Sequence, residues 1–390
     1  MKWIKKEHEF DEYAQVITEE FVKRDRKIYI FGAGLIGLEV RAVLEKYQCF
    51  AAFIDNDCNK QQTGLKGSDV ISLDNYKKRN ERGWIVIAAD TSNIPAIEKQ
   101  LCESGLKKSA DFYDYHEFLY QVLPVLSIYE FSLLYMDLAQ ISLTERCSLK
   151  CKNCAHGCYA VGSDSKDMDI EAAKRSADCL LQKVDVMREF VLIGGEPFLY
   201  QEIASIITYI GEKYRDKMVI FSITTNGTII PGKQIIDLCR KYNVLIRISN
   251  YSAQLRYLEA KYEKLCDMLR QNKVSYVLGE KEWEWKDYGF GKVNRKGTED
   301  ELRKVFDCCN TQCREVRENR FYYCVMARSI SENLQLNVGE NDYLDLNTCN
   351  KKQLMEFQLG YSEKGYLEMC NYCNGADAEN YPIPPAEQIG

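Results

Sequence analysis

The sequence predicts an α/β protein: a small N-terminal parallel sheet, a larger partial barrel of βα units, and a small cysteine-rich hairpin extension. Three observations carry this. Apolar β-prone runs alternate with amphipathic stretches from Lys27 to about residue 120, and the same alternation resumes near residue 138. The cysteines also cluster: of 17 in the chain, four fall between Cys147 and Cys158 and seven between residues 305 and 375. The boundaries that follow are 1–120 for the first unit, 121–137 for a connector, 138–300 for the barrel and 301–390 for the extension.

In the first unit, KIYIFGAGLIGLEVRAVLEKYQCFAAFIDND reads strand, glycine turn, helix, strand from Lys27 onward. The turn holds Gly32, Gly34 and Gly37, a GxGxxG directly after an apolar run, and Asp55 closes the next strand. That context predicts a nucleotide or dinucleotide site, with glycines admitting a pyrophosphate to a helix N-terminus and the acid reaching ribose hydroxyls. The alternative is a turn that only packs helix on strand. GWIVIAAD (83–90) and the helix IPAIEKQLCESGL continue the alternation.

QVLPVLSIYEFSLLYMD (121–137) has Pro124 and no clean period, so it reads as a connector. DLAQISLT then predicts the first barrel strand. It is followed by helix 169–184 with Asp169 as N-cap, strand FVLI ending at Gly194, helix 202–214, strand MVIFSIT, helix 232–242, strand VLIRIS, helix 254–272 and strand VSYVL. Repeated βα units require right-handed crossovers and a mainly parallel sheet, with chemistry at the C-terminal strand ends. The aromatic stretch with Trp283, Trp285, Tyr288 and Phe290 is long enough to be a lid, and the closing NYPIPPAEQIG is expected to fray.

A net charge of -6 and the absence of a long Lys/Arg block argue against nucleic acid or an anionic membrane as partner. The charged, amphipathic N-terminal stretch has no apolar signal segment, which predicts a cytoplasmic protein. There, clustered cysteines bind metal more often than they form disulfides.

Cys147, Cys151 and Cys154 form CxxxCxxC, three thiolates suited to one face of a metal centre. Spacing alone leaves open an iron–sulfur cluster with one free iron, or zinc completed by Cys158 or His156. About forty residues on, the next strand ends in GGEP, Gly194, Gly195, Glu196 and Pro197. The glycines allow close backbone approach, Glu196 offers an acceptor to a cation, and Pro197 fixes the turn. CxxxCxxC after the first barrel strand with GGEP after the second resembles the radical SAM superfamily. The resemblance implies a partial (βα)6 radical SAM barrel whose three cysteines hold a [4Fe-4S] cluster, with the open iron chelated by the amino and carboxylate groups of S-adenosylmethionine (SAM). It places Asn226, Ser249 and Asn250 at the SAM ribose and carboxylate. Arg247 alternates onto the same face as Ser249, to meet the SAM carboxylate or lie at the sheet's edge. Asn153 departs from the family pattern, where an aromatic residue often precedes the third cysteine and packs near adenine.

The second cysteine set is Cys308, Cys309, Cys313, Cys324, Cys349, Cys370 and Cys373. CREVRENRFYYC reads as a hairpin with Asn319 at the turn and a cysteine at each base, and CNYC follows. This resembles the SPASM or Twitch extensions of radical SAM enzymes, and the count fits one auxiliary [4Fe-4S] cluster on Cys313, Cys324, Cys370 and Cys373, with Cys309 or Cys308 as substitute. Structural zinc is the alternative. The first unit resembles the Rossmann-like domain that precedes sugar acyltransferases and sugar-nucleotide enzymes, through IFGAG, FIDND and GLKKSADFYDYHEFL.

These resemblances imply an enzyme that receives an electron from a flavodoxin or ferredoxin, cleaves SAM to a 5′-deoxyadenosyl radical, and abstracts hydrogen from a substrate C–H bond. The favoured substrate is a sugar, aminocyclitol or nucleotide-linked metabolite, oxidised or epimerised; a ribosomal peptide is the competing one. A non-catalytic, nucleotide-binding zinc protein is the reading from another class.

Overall fold

The computed structural model describes residues 10–79, 83–162, 167–309, 311–336, 342–361, 364–376 and 381–389. The chain divides into two compact units, one running to Asp137 and one from Leu138 onward. No helix among the described residues is long and apolar enough to cross a membrane.

The first unit holds strands β1 (Ile28–Phe31), β2 (Phe50–Ile54), β3 (Val70–Ile71), β4 (Trp84–Ile87) and β5 (Phe112–Asp114) in the order β3-β2-β1-β4-β5. Every neighbouring pair is parallel. β1 and β4 are buried along their whole length, as central strands covered on both faces must be. Two glycines in the turn after β1 are required sterically. A Cβ on Gly32, whose φ is +122°, would lie 2.3 Å from the carbonyl oxygen of Ala88, and one on Gly37 would lie 2.1 Å from that of Gly32.

The stretch expected as an irregular connector contains a helix, Leu123–Phe131. Its first five residues, Leu123 to Ser127, are all buried, so the apolar pattern has no single face to mark. Pro124 stands just past the π-helical turn Phe118–Val122, and the helical run continues unbroken from Tyr115 to Phe131.

The second unit is built on β6 (Tyr135–Ser142), β7 (Val186–Ile193), β8 (Met218–Thr225), β9 (Val244–Ile248) and β10 (Tyr276–Leu278), with helices Ile170–Leu181, Ile203–Tyr214, Lys233–Lys241 and Leu258–Gln271 between them. A two-residue strand β11 (Trp285–Lys286) follows, then β12 (Arg314–Arg317), β13 (Arg320–Tyr322), β14 (Tyr343–Asp345) and β15 (Pro382–Ile383). The main sheet has the order β10-β9-β8-β7-β6-β12-β13-β14. The βα series thus supplies five strands, and β12 pairs parallel on the far side of β6, Arg314 opposite Ala139. Asp169 caps its helix as expected, its side chain accepting from the N–H groups of Glu171 and Ala172.

Register fixes which side chains share a face. Val191 lies opposite Ser222, and Thr224 opposite Arg247, so Glu189, Ser222, Thr224, Arg247 and Ser249 line one side of the sheet. That face is unusually polar for the inside of a sheet.

β12 and β13 pair antiparallel with Arg317 opposite Arg320, leaving Glu318 and Asn319 as a two-residue turn. The left-handed backbone belongs to Glu318, φ 52°, rather than to Asn319. Asn319 instead donates its amide to Asp345 at 2.8 Å, tying the turn to the end of β14.

Candidate active site: a three-thiol cavity at the strand ends

The cysteine loop leaves the end of β6 and is zipped to the end of β7. Leu143 N–H donates to Ile193 O (2.8 Å), Gly195 N–H to Thr144 O (2.7 Å), and Glu196 N–H to Arg146 O (2.8 Å). A Cβ on Gly194, φ +151°, would sit 2.4 Å from Thr144 O, and one on Gly195 2.2 Å from Arg146 O. The two glycines therefore bring the cysteine loop against the strand end, besides lining the cavity beside it.

Glu196 does different work from that expected. It is fully buried and does not line the cavity. Its carboxylate accepts from the Thr225 hydroxyl at 2.8 and 2.9 Å, from Asn226 N–H at 2.9 Å, and from Phe198 N–H at 3.1 Å. Burial pushes it up to about 7, against the pull of these donors. It braces the turn after β8 against the turn after β7. Pro197 opens the short 3-10 turn Pro197–Leu199 that Glu196 caps.

The cavity, about 340 Å³, is lined by Cys147, Cys151 and Cys154, by Thr224, Asn226 and Ser249 from the ends of β8 and β9, and by Tyr251, Trp283, Trp285 and Tyr288. Its size is within the usual range of ligand pockets. Asn226 donates to Cys147 Sγ at 3.5 Å and to Ser148 Oγ at 3.1 Å. Asn250, expected beside it, is turned into the loops: it donates to Gly279 O (3.0 Å) and accepts from the N–H and hydroxyl of Ser252. Arg247 lies on the cavity side of β9 but forms a two-pronged ion pair with buried Glu189 (2.6 and 2.9 Å), which also accepts from Ser222 at 2.7 Å. Of the expected lid residues, Trp283, Trp285 and Tyr288 line the cavity, whereas Phe290 is buried and stacks on Tyr288. Tyr251 stacks on Trp283 at 5.9 Å, an aromatic surface over the cavity.

Burial pushes the thiols of Cys147 and Cys151 up to about 11 and 12. Cys154 is brought down to about 7, chiefly by a hydrogen bond from the Cys158 thiol. Three such groups in one cavity become thiolates together only against a cation such as iron. Among the described residues no three His, Cys, Asp or Glu side chains converge as the ligands of a single ion would. Cys158 also points to Glu145 at 3.8 Å, and His156, held neutral by burial at about 4, has its Nδ1 between Ser142 and Ser329 hydroxyls at 3.3 and 3.4 Å. Cys158 is thus engaged by Cys154 and Glu145, while His156 lines the cavity beside the three thiols.

The segment expected to fray is placed in regular backbone pairing over its described residues 381–389. Its residues lie along the cysteine loop, with Lys152 N–H donating to Glu387 O (2.7 Å) and Ile389 N–H to Lys150 O (2.8 Å). Gln388 donates to Cys151 Sγ at 3.3 Å.

The second cysteine set closes around a separate, small cavity of about 20 Å³ lined by Cys309, Cys324, Cys370 and Cys373 together with Phe306, Tyr323 and Met369. Backbone N–H groups of Gly375 and Ala376 donate to Cys373 and Cys309 Sγ, each at 3.3 Å. Cys313 and Cys308 do not line it and reach solvent. Burial raises the Cys313 thiol, with Arg314 pulling it down and Glu315 and Glu189 pushing it up. Cys349 is buried and lines neither cavity. Tyr288, which lines the first cavity, has its phenol raised by burial and by the nearby thiols of Cys313, Cys373, Cys309 and Cys324.

In the first unit a cavity of about 500 Å³ opens over the ends of β1, β2 and β4, lined by Gly32, Gly34, Asp55, Lys60 and Asp90. A Cβ on Gly34 would meet nothing within 4 Å, so that position faces open space. Asp55 is engaged: it accepts from Ala33 N–H (2.8 Å), Asp57 N–H (2.9 Å) and Lys60 Nζ (3.0 Å).

A βα sheet with three thiols past its first strand, facing a ligand-sized cavity, suits a metal cluster and a small cofactor. Residues 141–266 match the Radical SAM superfamily, whose cofactors are a [4Fe-4S] cluster and SAM. The three thiols and their cavity fit that pair. The chain is 33% identical over 110 residues to an uncharacterized protein of Methanocaldococcus jannaschii, covering 28% of this chain and 36% of that one. It is 32% identical over 115 residues to the antilisterial bacteriocin subtilosin biosynthesis protein AlbA of Bacillus subtilis, covering 28% and 23%. It thus spans about a third and a quarter of these relatives. Among solved structures it is similar to BtrN in complex with AdoMet and 2-DOIA, with 14% identity, a TM-score of 0.38, and 64% and 98% of the two chains covered. It is also similar to anSMEcpe with bound AdoMet and a peptide, with 13% identity, a TM-score of 0.37, and 65% and 93% covered.

Proposed function

We propose that the protein is a radical SAM enzyme that abstracts hydrogen from a C–H bond of a sugar, aminocyclitol or nucleotide-linked metabolite and oxidises or epimerises it, aided by one auxiliary [4Fe-4S] cluster. The observation that carries this reading is the convergence of Cys147, Cys151 and Cys154 on one cavity with Gly194, Gly195 and Asn226. When bound, the cluster and SAM supply one-electron reductive cleavage and a 5′-deoxyadenosyl radical. The chain's own residues supply the rest. Asn226 and Ser249 offer polar contacts beside the thiols, the Tyr251–Trp283 stack offers a face to adenine in place of the aromatic residue absent at Asn153, and the Trp283–Tyr288 loop walls the cavity against water.

The substrate class is supported by the polar sheet face. Thr224, Asn226 and Ser249 offer the cavity hydroxyl and amide groups suited to a hydroxylated molecule, backed on the same face by the network of buried Glu189 and Ser222 with Arg247. The first unit supports it as well, since the order β3-β2-β1-β4-β5 with a cavity at the β1/β4 crevice is where Rossmann-like sheets take nucleotides. The likeness to AlbA, named for bacteriocin biosynthesis, favours the peptide reading, but it covers only 28% of this chain. Anaerobic incubation with deuterated candidate substrates decides. Deuterium should appear in 5′-deoxyadenosine with a sugar or aminocyclitol; transfer from a peptide alone would replace the substrate assignment.

Cys309, Cys324, Cys370 and Cys373 are the auxiliary ligands in this reading, with Cys309 in place of Cys313. The space between them is smaller than a cubane, so the thiols would have to move apart to hold one. Reconstituted wild type should hold about eight irons per chain, Cys309→Ala about four, and Cys313→Ala the wild-type number. Equal losses in the two variants would return Cys313 to the ligand set.

A further inference from the structure

We propose that residues 381–389 form a strap that clamps the cysteine loop, and that Gln388 is a positioning residue which makes the cluster on Cys147, Cys151 and Cys154 easier to reduce. The second half rests on the cluster reading above; the first does not.

The strap has two edges. On one, β15 pairs antiparallel with β11, Trp285 opposite Ile383, and Asp287 N–H donates to Tyr381 O at 3.0 Å. On the other, an antiparallel bridge joins Cys151 to Gln388, flanked by the two backbone bonds to Lys150 and Lys152. The segment thus fastens the aromatic loop on one side of the cavity to the cysteine loop on the other. Ala386 anchors it: fully buried, with φ 56°, it packs against Leu149 and Cys151. A β-branched residue suits neither that backbone nor that space.

Gln388 is held so that its amide can serve only one end of the site. Its Oε1 accepts from Lys150 N–H (2.8 Å), which fixes the amide plane and leaves Nε2 to donate to Ala386 O (2.7 Å) and Cys151 Sγ (3.3 Å). An N–H aimed at a cluster sulfur is worth more when the cluster carries the extra electron, because negative charge on the sulfur grows. Hydrogen bonds to the sulfurs are among the factors that set cluster potentials. The step concerned is the entry of one electron from the external reductant into the oxidised cluster; no bond to the protein forms or breaks.

The test uses the full chain. In metal-free protein, iodoacetamide should alkylate Cys151 several-fold faster in Ala386→Val than in wild type, with Cys147 unchanged; equal Cys151 rates overturn the strap. In reconstituted protein, the electron paramagnetic resonance signal perturbed by SAM is followed through a redox titration. Gln388→Ala should be about tenfold harder to reduce at equilibrium, about 59 mV lower for one electron, and Gln388→Glu, which loses the donor and adds charge, lower still. Potentials equal to wild type in both variants overturn the role of Gln388. A wild type that takes up neither iron nor sulfide overturns the cluster reading itself, while the alkylation result stands.

Discussion

In the Cys151→Ala variant, reconstituted with iron and sulfide and reduced, 5′-deoxyadenosine release from SAM falls to the level of the enzyme-free control. The three thiols at Cys147, Cys151 and Cys154 line one cavity; His156 and Glu284 share its lining, but His156 has its Nδ1 between the Ser142 and Ser329 hydroxyls and Glu284 sits on the aromatic loop between Trp283 and Trp285. Cys158 is the one nearby thiol, and it is engaged as the donor that lowers Cys154. Cys158→Ala should therefore keep its iron and most of its activity, whereas Cys151→Ala loses both at the first site. The measurement is product release by chromatography alongside iron and sulfide content. Persisting activity in Cys151→Ala, or an equal loss in Cys158→Ala, would move the ligand assignment.

The parts of this site that were legible in the sequence are those fixed by local spacing. The CxxxCxxC loop after β6 and the GGEP turn after β7 follow from strand, turn and glycine signals a few residues apart, and Asp169 announced its helix by chemistry at a single position. What was not legible depends on where a side chain turns once distant backbone arrives. Glu196 and Asn250 stand at strand ends as expected, yet one is drawn inward by Thr225 and Asn226 and the other by Gly279 and Ser252. Cys313 and Cys309 are four residues apart, and only the path of the chain after the helix Glu299–Asp307 decides which thiol joins Cys324, Cys370 and Cys373. Gln388 lies 237 residues from Cys151, and a proline-rich ending carries no signal for a partner that far away. The Leu123–Phe131 helix hid for a related reason, since burial on nearly all sides erases the period by which a helix is recognised.

Replacing Arg328 with methionine should destabilise the second unit by about 3 to 5 kcal/mol, the cost of breaking a buried charge pair from one side. The Arg328 side chain is fully buried and paired with Glu315, itself fully buried, with Glu145 at 2.9 Å and with Glu332 at 3.2 Å. Burial alone would make the guanidinium easier to deprotonate, but the three carboxylates outweigh it and hold its charge more firmly than usual. The pairing is architectural: Glu145 stands two residues before Cys147, Glu315 is on β12, and Arg328 follows Cys324, so one guanidinium joins the first cysteine loop to the hairpin extension. Methionine fills much of the space and leaves Glu315 and Glu145 without a counter-charge. Urea unfolding of wild type and variant measures the loss, equivalent to roughly 6 to 20 °C in Tm at about 2 to 4 °C per kcal/mol. The sign of its pH dependence follows from Glu315. Burial already raises this carboxyl against the pull of Arg328, and without the guanidinium it rises further above its unfolded value. Between the unfolded and folded values the native state then binds the extra proton, so stability falls as pH rises. The deficit of Arg328→Met is accordingly smaller near pH 5 than near pH 8, and the double variant Arg328→Met/Glu315→Gln recovers part of it at the higher pH. A deficit below about 1 kcal/mol at pH 8, or one that shrinks with rising pH, would show that these carboxylates do not depend on Arg328 for their burial.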